Sequence, residues 1–94
     1  MHIKWLKKAL KNLQDEANYI AEEIPQAAQL IMQRIYTAVA LLAEQPASGR
    51  PGRVHGTREL IIPKTRYIIP YRVRDNTIEI LRVFHASRKM PKNR

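Results

Sequence analysis

Residues 57–85 read TRELIIPKTRYIIPYRVRDNTIEILRVFH, and the fold turns on how this stretch is divided. Three runs rich in β-branched and aromatic residues, Thr57–Ile62, Arg66–Arg74 and Thr77–His85, are separated by turn chemistry. Such runs between turn signals predict strands. Pro63-Lys64-Thr65 divides the first two, and Asp75-Asn76 is a two-residue signal for a tight hairpin between the second and third. Pro70 is a discord within the second run. It has no N–H to give to a ladder, so it predicts a bulge or an unpaired edge at that point. Alternation puts Ile69, Tyr71 and Val73 on one face, with Ile68, Pro70, Arg72 and Arg74 on the other. In the last run Ile78, Ile80, Arg82 and Phe84 share a face, opposite Glu79, Leu81, Val83 and His85. The pattern alone does not say which of these faces is inward.

Upstream, the period changes. Leu6, Leu10, Leu13, Ala17, Ile20 and Ile24 form one stripe at helical spacing, while Lys7, Lys8, Lys11, Asp15, Glu22 and Glu23 fall elsewhere on the wheel. Pro25 ends that helix and suits the first turn of another. Ala28, Ile31, Ile35, Val39 and Leu42 carry a second stripe to about Ala43, which predicts a helical hairpin with a shared apolar seam. Before the first helix, His2–Trp5 alternates briefly and predicts an opening strand. Glu44–Gly56 holds Pro46, Gly49, Pro51, Gly52 and Gly56 and reads as irregular chain. The expected order is β-α-α-β-β-β, an α+β fold in which a small, twisted, mainly antiparallel sheet is covered on one face by an N-terminal helical hairpin. Residues 1–94 read as one domain, with 85–94 a basic C-terminal tail.

The net charge is +9, and its location is more informative than its size. Residues 1–47 balance five bases with five acids. Residues 48–94 carry twelve bases, nine of them arginine, against Glu59, Asp75 and Glu79, so the whole excess lies in the second half. Arginine's planar fork suits phosphates and carboxylates, which points to an anionic partner: nucleic acid or an acidic protein segment. There is no cysteine, which excludes disulfide scaffolds, cysteine zinc sites and thiol catalysis. No carboxylate–histidine spacing suggests a metal site, and no cofactor is expected. Gly49-Arg50-Pro51-Gly52 lacks the ending of a phosphate loop and reads as a turn. No apolar run approaches the roughly 18 residues of a membrane span, and the charged amphipathic N-terminus is unlike a signal peptide. The expectation is a cytoplasmic protein with no membrane partner.

At this point a set of segments becomes recognisable: Trp5 before the helix from Leu6, Tyr19-Ile20 ahead of a proline, and Gly49-Arg50-Pro51-Gly52. Gly56-Thr57-Arg58-Glu59-Leu60, Tyr67-Ile68-Ile69-Pro70-Tyr71-Arg72-Val73 and Ile80-Leu81-Arg82-Val83-Phe84-His85-Ala86-Ser87-Arg88 complete it. Together and in this order they resemble the RelE/ParE toxin superfamily over nearly the whole chain. The resemblance implies the toxin of a type II toxin–antitoxin pair, held inactive by a labile antitoxin that wraps around it. It also implies one of two targets. The RelE branch cuts messenger RNA on the ribosome, and the ParE branch inhibits DNA gyrase.

Metal-free RNA cleavage needs a base, an acid and a cation converging on one phosphate. RelE-type nucleases place an arginine three residues before a strand tyrosine. The matching position before Tyr71 is Ile68, and Arg66 is displaced by about 7 Å along the strand. The C-terminal acid–base tyrosine of some nucleases is replaced by Ala86-Ser87-Arg88-Lys89. The segments around Arg58 and Tyr71 look more like the ParE branch, which favours a gyrase inhibitor without chemistry of its own. On that reading Arg82, His85, Arg88 and Lys89 are the expected target contacts. If the chain instead cuts RNA, Arg72, Arg82, His85 and Arg88 are the candidate catalytic group, with histidine able to exchange a proton near neutral pH. His85 as a structural residue at the sheet edge is the plainer alternative.

For the antitoxin, an acidic segment would be drawn by the toxin's charge and received in a groove beside the hairpin or along a strand edge. Trp5, Leu13, Tyr19, Ile20, Arg58 and Arg72 are the expected contacts, although Trp5 and Tyr19 serve equally well as core aromatics. Arg58 and Glu59 could instead be a structural pair. A basic nucleic-acid-binding module without toxicity is the remaining alternative. It fits the charge, but not the placement of the bases on strands and loops.

Overall fold

Asp75 and Asn76 both take positive φ, 51° and 57°. That is the type I′ geometry whose twist matches a tight hairpin, and both residue types tolerate it. In the computed structural model, which describes residues 1–87, this turn joins two of six strands. The chain runs β1 (His2–Trp5), α1 (Lys7–Glu23), α2 (Pro25–Leu41), β2 (Arg50–Pro51), β3 (Arg58–Ile61), β4 (Tyr67–Arg74), β5 (Thr77–Ile80) and β6 (Phe84–His85). The strands form one sheet in the order β1-β5-β4-β3-β2, with β6 also paired to β4. β1 lies parallel to β5, and every other pairing is antiparallel.

The helical hairpin breaks where Pro25 requires it. Ile24 is extended at φ −141°, ψ 92°, while its N–H still closes α1 onto the Ile20 carbonyl at 2.8 Å. Pro25 opens α2, where its missing N–H has no intrahelical acceptor to serve. Ala9 and Leu13 of α1, with Ile35, Val39 and Leu42 of or just beyond α2, meet Ile62, Ile69, Tyr71, Ile78 and Ile80 from the sheet. Each fully buried isoleucine contributes about 1.5–3 kcal/mol relative to exposure, so this layer is the main source of stability. The α1 stripe is rotated slightly from the expected one: Ala9 is buried, whereas Leu10 and Ile24 are exposed. On β4, Ile69 and Tyr71 face the helices as one of the two phases predicted, but Val73 lies beyond their cover and is exposed.

Two sequence expectations need correction. The Gly49-Arg50-Pro51-Gly52 segment is not simply a turn, because Arg50 and Pro51 form β2 opposite Glu59 and Arg58. Two glycines make this possible. A Cβ on Gly49 would lie 2.6 Å from the buried Tyr71 ring, and one on Gly52 would lie 2.2 Å from Thr57 Oγ1. The Gly52 N–H bonds the Thr57 carbonyl at 2.8 Å and closes the loop between them.

The third strand is also not continuous from Thr77 to His85. The β4–β5 register sets Ile80 opposite Tyr71, and the Leu81 N–H bonds the Pro70 carbonyl at 2.9 Å. Beyond the break, Phe84 stands opposite Ile68. Arg82 and Val83 therefore face Ile69 alone, which is a β-bulge located where Pro70 cannot return a second ladder bond. The Val83 N–H that the bulge frees is satisfied by Asn12 Oδ1 of α1 at 3.2 Å. The slip shifts the alternation by one residue. Val83 enters the core beneath the helices, and Arg82 stays with Leu81 on the open side rather than with Ile78 and Ile80.

Candidate functional site on the open face of the sheet

The sheet face turned from the helices carries two buried carboxylates among its arginines. Glu59 of β3 is 4% exposed and Glu79 of β5 is 8% exposed. Glu59 Oε1 accepts from Arg50 Nε and Nη2 at 3.2 and 3.0 Å, and Oε2 accepts from the Arg53 backbone N–H at 3.3 Å. The Arg53 guanidinium approaches that same oxygen at 3.9 Å. Glu79 stands directly opposite Arg72 in the hairpin register. Its Oε1 accepts from Arg72 Nε at 2.5 Å, and its Oε2 from Arg74 Nη2 at 3.3 Å. The hydrogen bond from Arg72 holds the Glu79 carboxyl below its ordinary value of 4.5, against partial desolvation, with the charges of Arg72 and Arg74 adding to the effect.

Beside these pairs a cleft of about 390 Å³ opens between the first turn of α1, the 53–57 loop, the middle of β4 and the residues just after β5. Leu6, Val54, Pro70 and Leu81 supply its apolar surface. Among the described residues, Lys7, Lys8, Arg53, Arg72 and Arg82 surround it, with Glu59 the single carboxylate in its wall. Among the described residues, no group of three side chains is arranged to hold a metal ion.

The residues singled out from sequence are distributed over both faces. Arg72 and Arg82 come together at the cleft. His85 does not join them. It pairs across strands with Tyr67, whose ring it meets edge-on at 5.1 Å, and Tyr67 belongs to the helix-side core and donates to Glu16 of α1 at 2.8 Å. The Ser87 hydroxyl lies 2.7 Å from His85 Nδ1. Arg88 and Lys89 lie outside the described residues.

Leu13 is buried in the core, and Trp5 and Ile20 pack partly against it, Trp5 tilted on Tyr36 at 5.7 Å. Tyr19 is about half exposed on α1. Arg58 lies on the helix-side face and donates to the Gly49 carbonyl at 2.8 Å, so it and Glu59 bind different partners and are not a pair. The sequence reading did not select Glu59, Glu79, Lys7, Lys8, Arg53 or Leu81. Glu79 was within reach, because a two-residue turn at Asp75-Asn76 sets Arg72 opposite it. The meeting of Arg50, Arg53 and Glu59 has no such local signal.

A helical hairpin on one face of a small mixed sheet is the architecture of the RelE/ParE toxins. The family model described as the ParE toxin of type II toxin–antitoxin systems matches residues 3–90, and the chain belongs to that family. Among sequence relatives, the candidate toxin Y4kP of Sinorhizobium fredii is 48% identical over 89 residues, covering 95% of this chain and 92% of the relative. Toxin RelE2 of Caulobacter vibrioides is 35% identical over 86 residues, covering 92% and 96%. Among solved structures, a chain of the chromosomal ParDE toxin–antitoxin system of P. aeruginosa superposes with a TM-score of 0.84 at 30% identity, covering 93% of this chain and 97% of its own. A chain of the RelBE2 complex of Mycobacterium tuberculosis shares the fold, with a TM-score of 0.56 at 23% identity and 92% coverage of each.

Proposed function

We propose that this toxin inhibits DNA gyrase by binding it without catalysis, and that an antitoxin with an acidic segment neutralises it. The observation that carries the first part is the separation of Arg72 and Arg82 from His85 across the thickness of the sheet. A nuclease must bring acid, base and cation to one phosphate. Here the open-face carboxylates are engaged by arginines, and the histidine rests on Tyr67 beside the helices. Such a face suits recognition by shape and charge. For the antitoxin, Tyr19, Ile24, Leu30 and Leu41 are each about half exposed on the hairpin, an apolar surface that would receive hydrophobic side chains.

The test is a supercoiling and DNA-cleavage assay with purified gyrase and the chain freed of antitoxin. Lost supercoiling or trapped double-strand breaks at low micromolar protein is the expected result. Inactivity of demonstrably folded protein refutes the gyrase reading. The 35% identity to toxin RelE2 favours a second reading, ribosome-dependent cleavage of messenger RNA. Message cut on translating ribosomes, and left intact by Arg72→Gln or Arg82→Gln, would establish it.

A further inference from the structure

α2 lies on the surface yet carries one formal charge, Arg34, in its 17 residues. A helix with one face in water usually shows charged residues along that face, and this one does not. Its outward row is Leu30, Arg34, Thr37 and Leu41, spaced four, three and four residues apart, which lines them up over about 16 Å of helix. Both leucines are about half exposed, and the row borders a groove of about 380 Å³ between α2 and Pro63.

The row has the same spacing in either direction. Turned end for end about a point between Ile35 and Tyr36, Leu30 falls on Leu41 and Arg34 falls on Thr37. Two copies of α2 laid antiparallel therefore match leucine to leucine twice and set each guanidinium beside a threonine hydroxyl. A parallel pairing would instead oppose Arg34 to its own copy. Charge selects the same side of the molecule. Residues 1–47 are balanced and the whole excess of +9 lies in 48–94, so pairing through the sheet would press two strongly basic surfaces together.

We propose that the chain, when free of antitoxin, forms a symmetric dimer through an antiparallel contact of α2 with α2 of a second copy. The contact is isologous, with Leu30 of one protomer on Leu41 of the other and the reverse. Its small area places it among weak interfaces, with a dissociation constant on the order of tens of micromolar. Leu30 and Leu41 are also offered to the antitoxin, so the two occupants exclude each other. The inference goes beyond the reading of the target and does not depend on it.

The experiment is sedimentation velocity of the antitoxin-free full chain from about 5 to about 500 μM, on either side of the expected constant. Monomer should give way to dimer across that range. Leu41→Glu should weaken association at least tenfold, because a carboxylate would face the partner's Leu30. Thr37→Glu should tighten it about fivefold by setting a carboxylate against the partner's Arg34, and Thr37→Lys should weaken it by a similar factor. Val54→Glu, which makes the same charge change as Leu41→Glu away from α2, should leave it unchanged. All these positions are exposed, and the far-UV spectrum checks that each variant is folded. A chain that stays monomeric throughout overturns the proposal and leaves this surface to the antitoxin. A dimer that persists in folded Leu41→Glu, or that responds alike to glutamate and lysine in place of Thr37, overturns it too. A negative gyrase assay would leave these readouts untouched, so the two ideas fail separately.

Discussion

Removing one hydroxyl, in Tyr71→Phe, tests how the loop after α2 is fixed to the sheet. Tyr71 is fully buried, and its hydroxyl accepts from the Gly49 N–H at 2.9 Å and donates to the Pro46 carbonyl at 2.7 Å. Phenylalanine keeps the ring and its packing but leaves a buried donor and a partly buried acceptor without their partner. Each orphaned group costs on the order of 1–3 kcal/mol, and partial access of water to Pro46 lowers its share, so the expected total is about 2 kcal/mol. With a urea slope of roughly 1.5 kcal/mol/M, the midpoint should fall by about 1.3 M. A thermal melt should shift down by on the order of 10 °C for a domain of this size. Tyr67→Phe is the internal comparison. Its hydroxyl donates to Glu16, which is half-buried and can turn to water, so its cost should stay below about 1 kcal/mol. Urea unfolding of the three proteins, followed by circular dichroism, decides the matter. If Tyr71→Phe falls within about 0.5 kcal/mol of the parent, or Tyr67→Phe costs more, the hydroxyl does not anchor this loop and the reasoning is wrong.

The lowered carboxyl of Glu79 contributes stability that is present above its unfolded value of 4.5 and is lost as pH falls through the lower folded value. Melts of the parent should therefore decline with acid more steeply than those of Glu79→Gln below about pH 4.5, and parallel curves would argue against the Arg72–Glu79 bond. At the hairpin, Asn76→Gly should raise stability by about 0.5 kcal/mol in the same urea assay, because glycine takes φ 57° without the Cβ penalty. A loss there would mean that the Asn76 side chain matters to the turn.

The legible part of this protein was whatever is encoded locally. Leu13, Ile35 and Val39 fall on helical stripes, Pro25 marks the break between helices, and Asp75-Asn76 marks the hairpin; each depends on a few neighbouring residues. Pro70 was legible as a fault in the ladder, since a missing N–H is a property of the residue itself. What the fault does was not legible. Whether Pro70 faced an edge or a partner strand depends on how 77–85 docks, and only that docking places the bulge at Arg82 and Val83. The candidate site suffers from the same limit. Arg82 and His85 are three residues apart, so alternation alone already put them on opposite faces; what the bulge decides is which face each takes, turning Arg82 to the open side and His85 toward Tyr67.

The sequence by itself determined the α+β order, the hairpin turn, the basic half and, through the ordered motifs, the toxin family. Those properties are sums or short-range patterns, and they survive whatever the long-range packing does. Tertiary structure alone decided that Arg50 and Arg53 reach Glu59, that Lys7 and Lys8 of the first helix share a cleft with Arg72 and Arg82, and that His85 is turned toward Tyr67. These meetings join residues up to some seventy-five positions apart. They are set by strand order and register, which follow from how the whole core packs and not from any one segment.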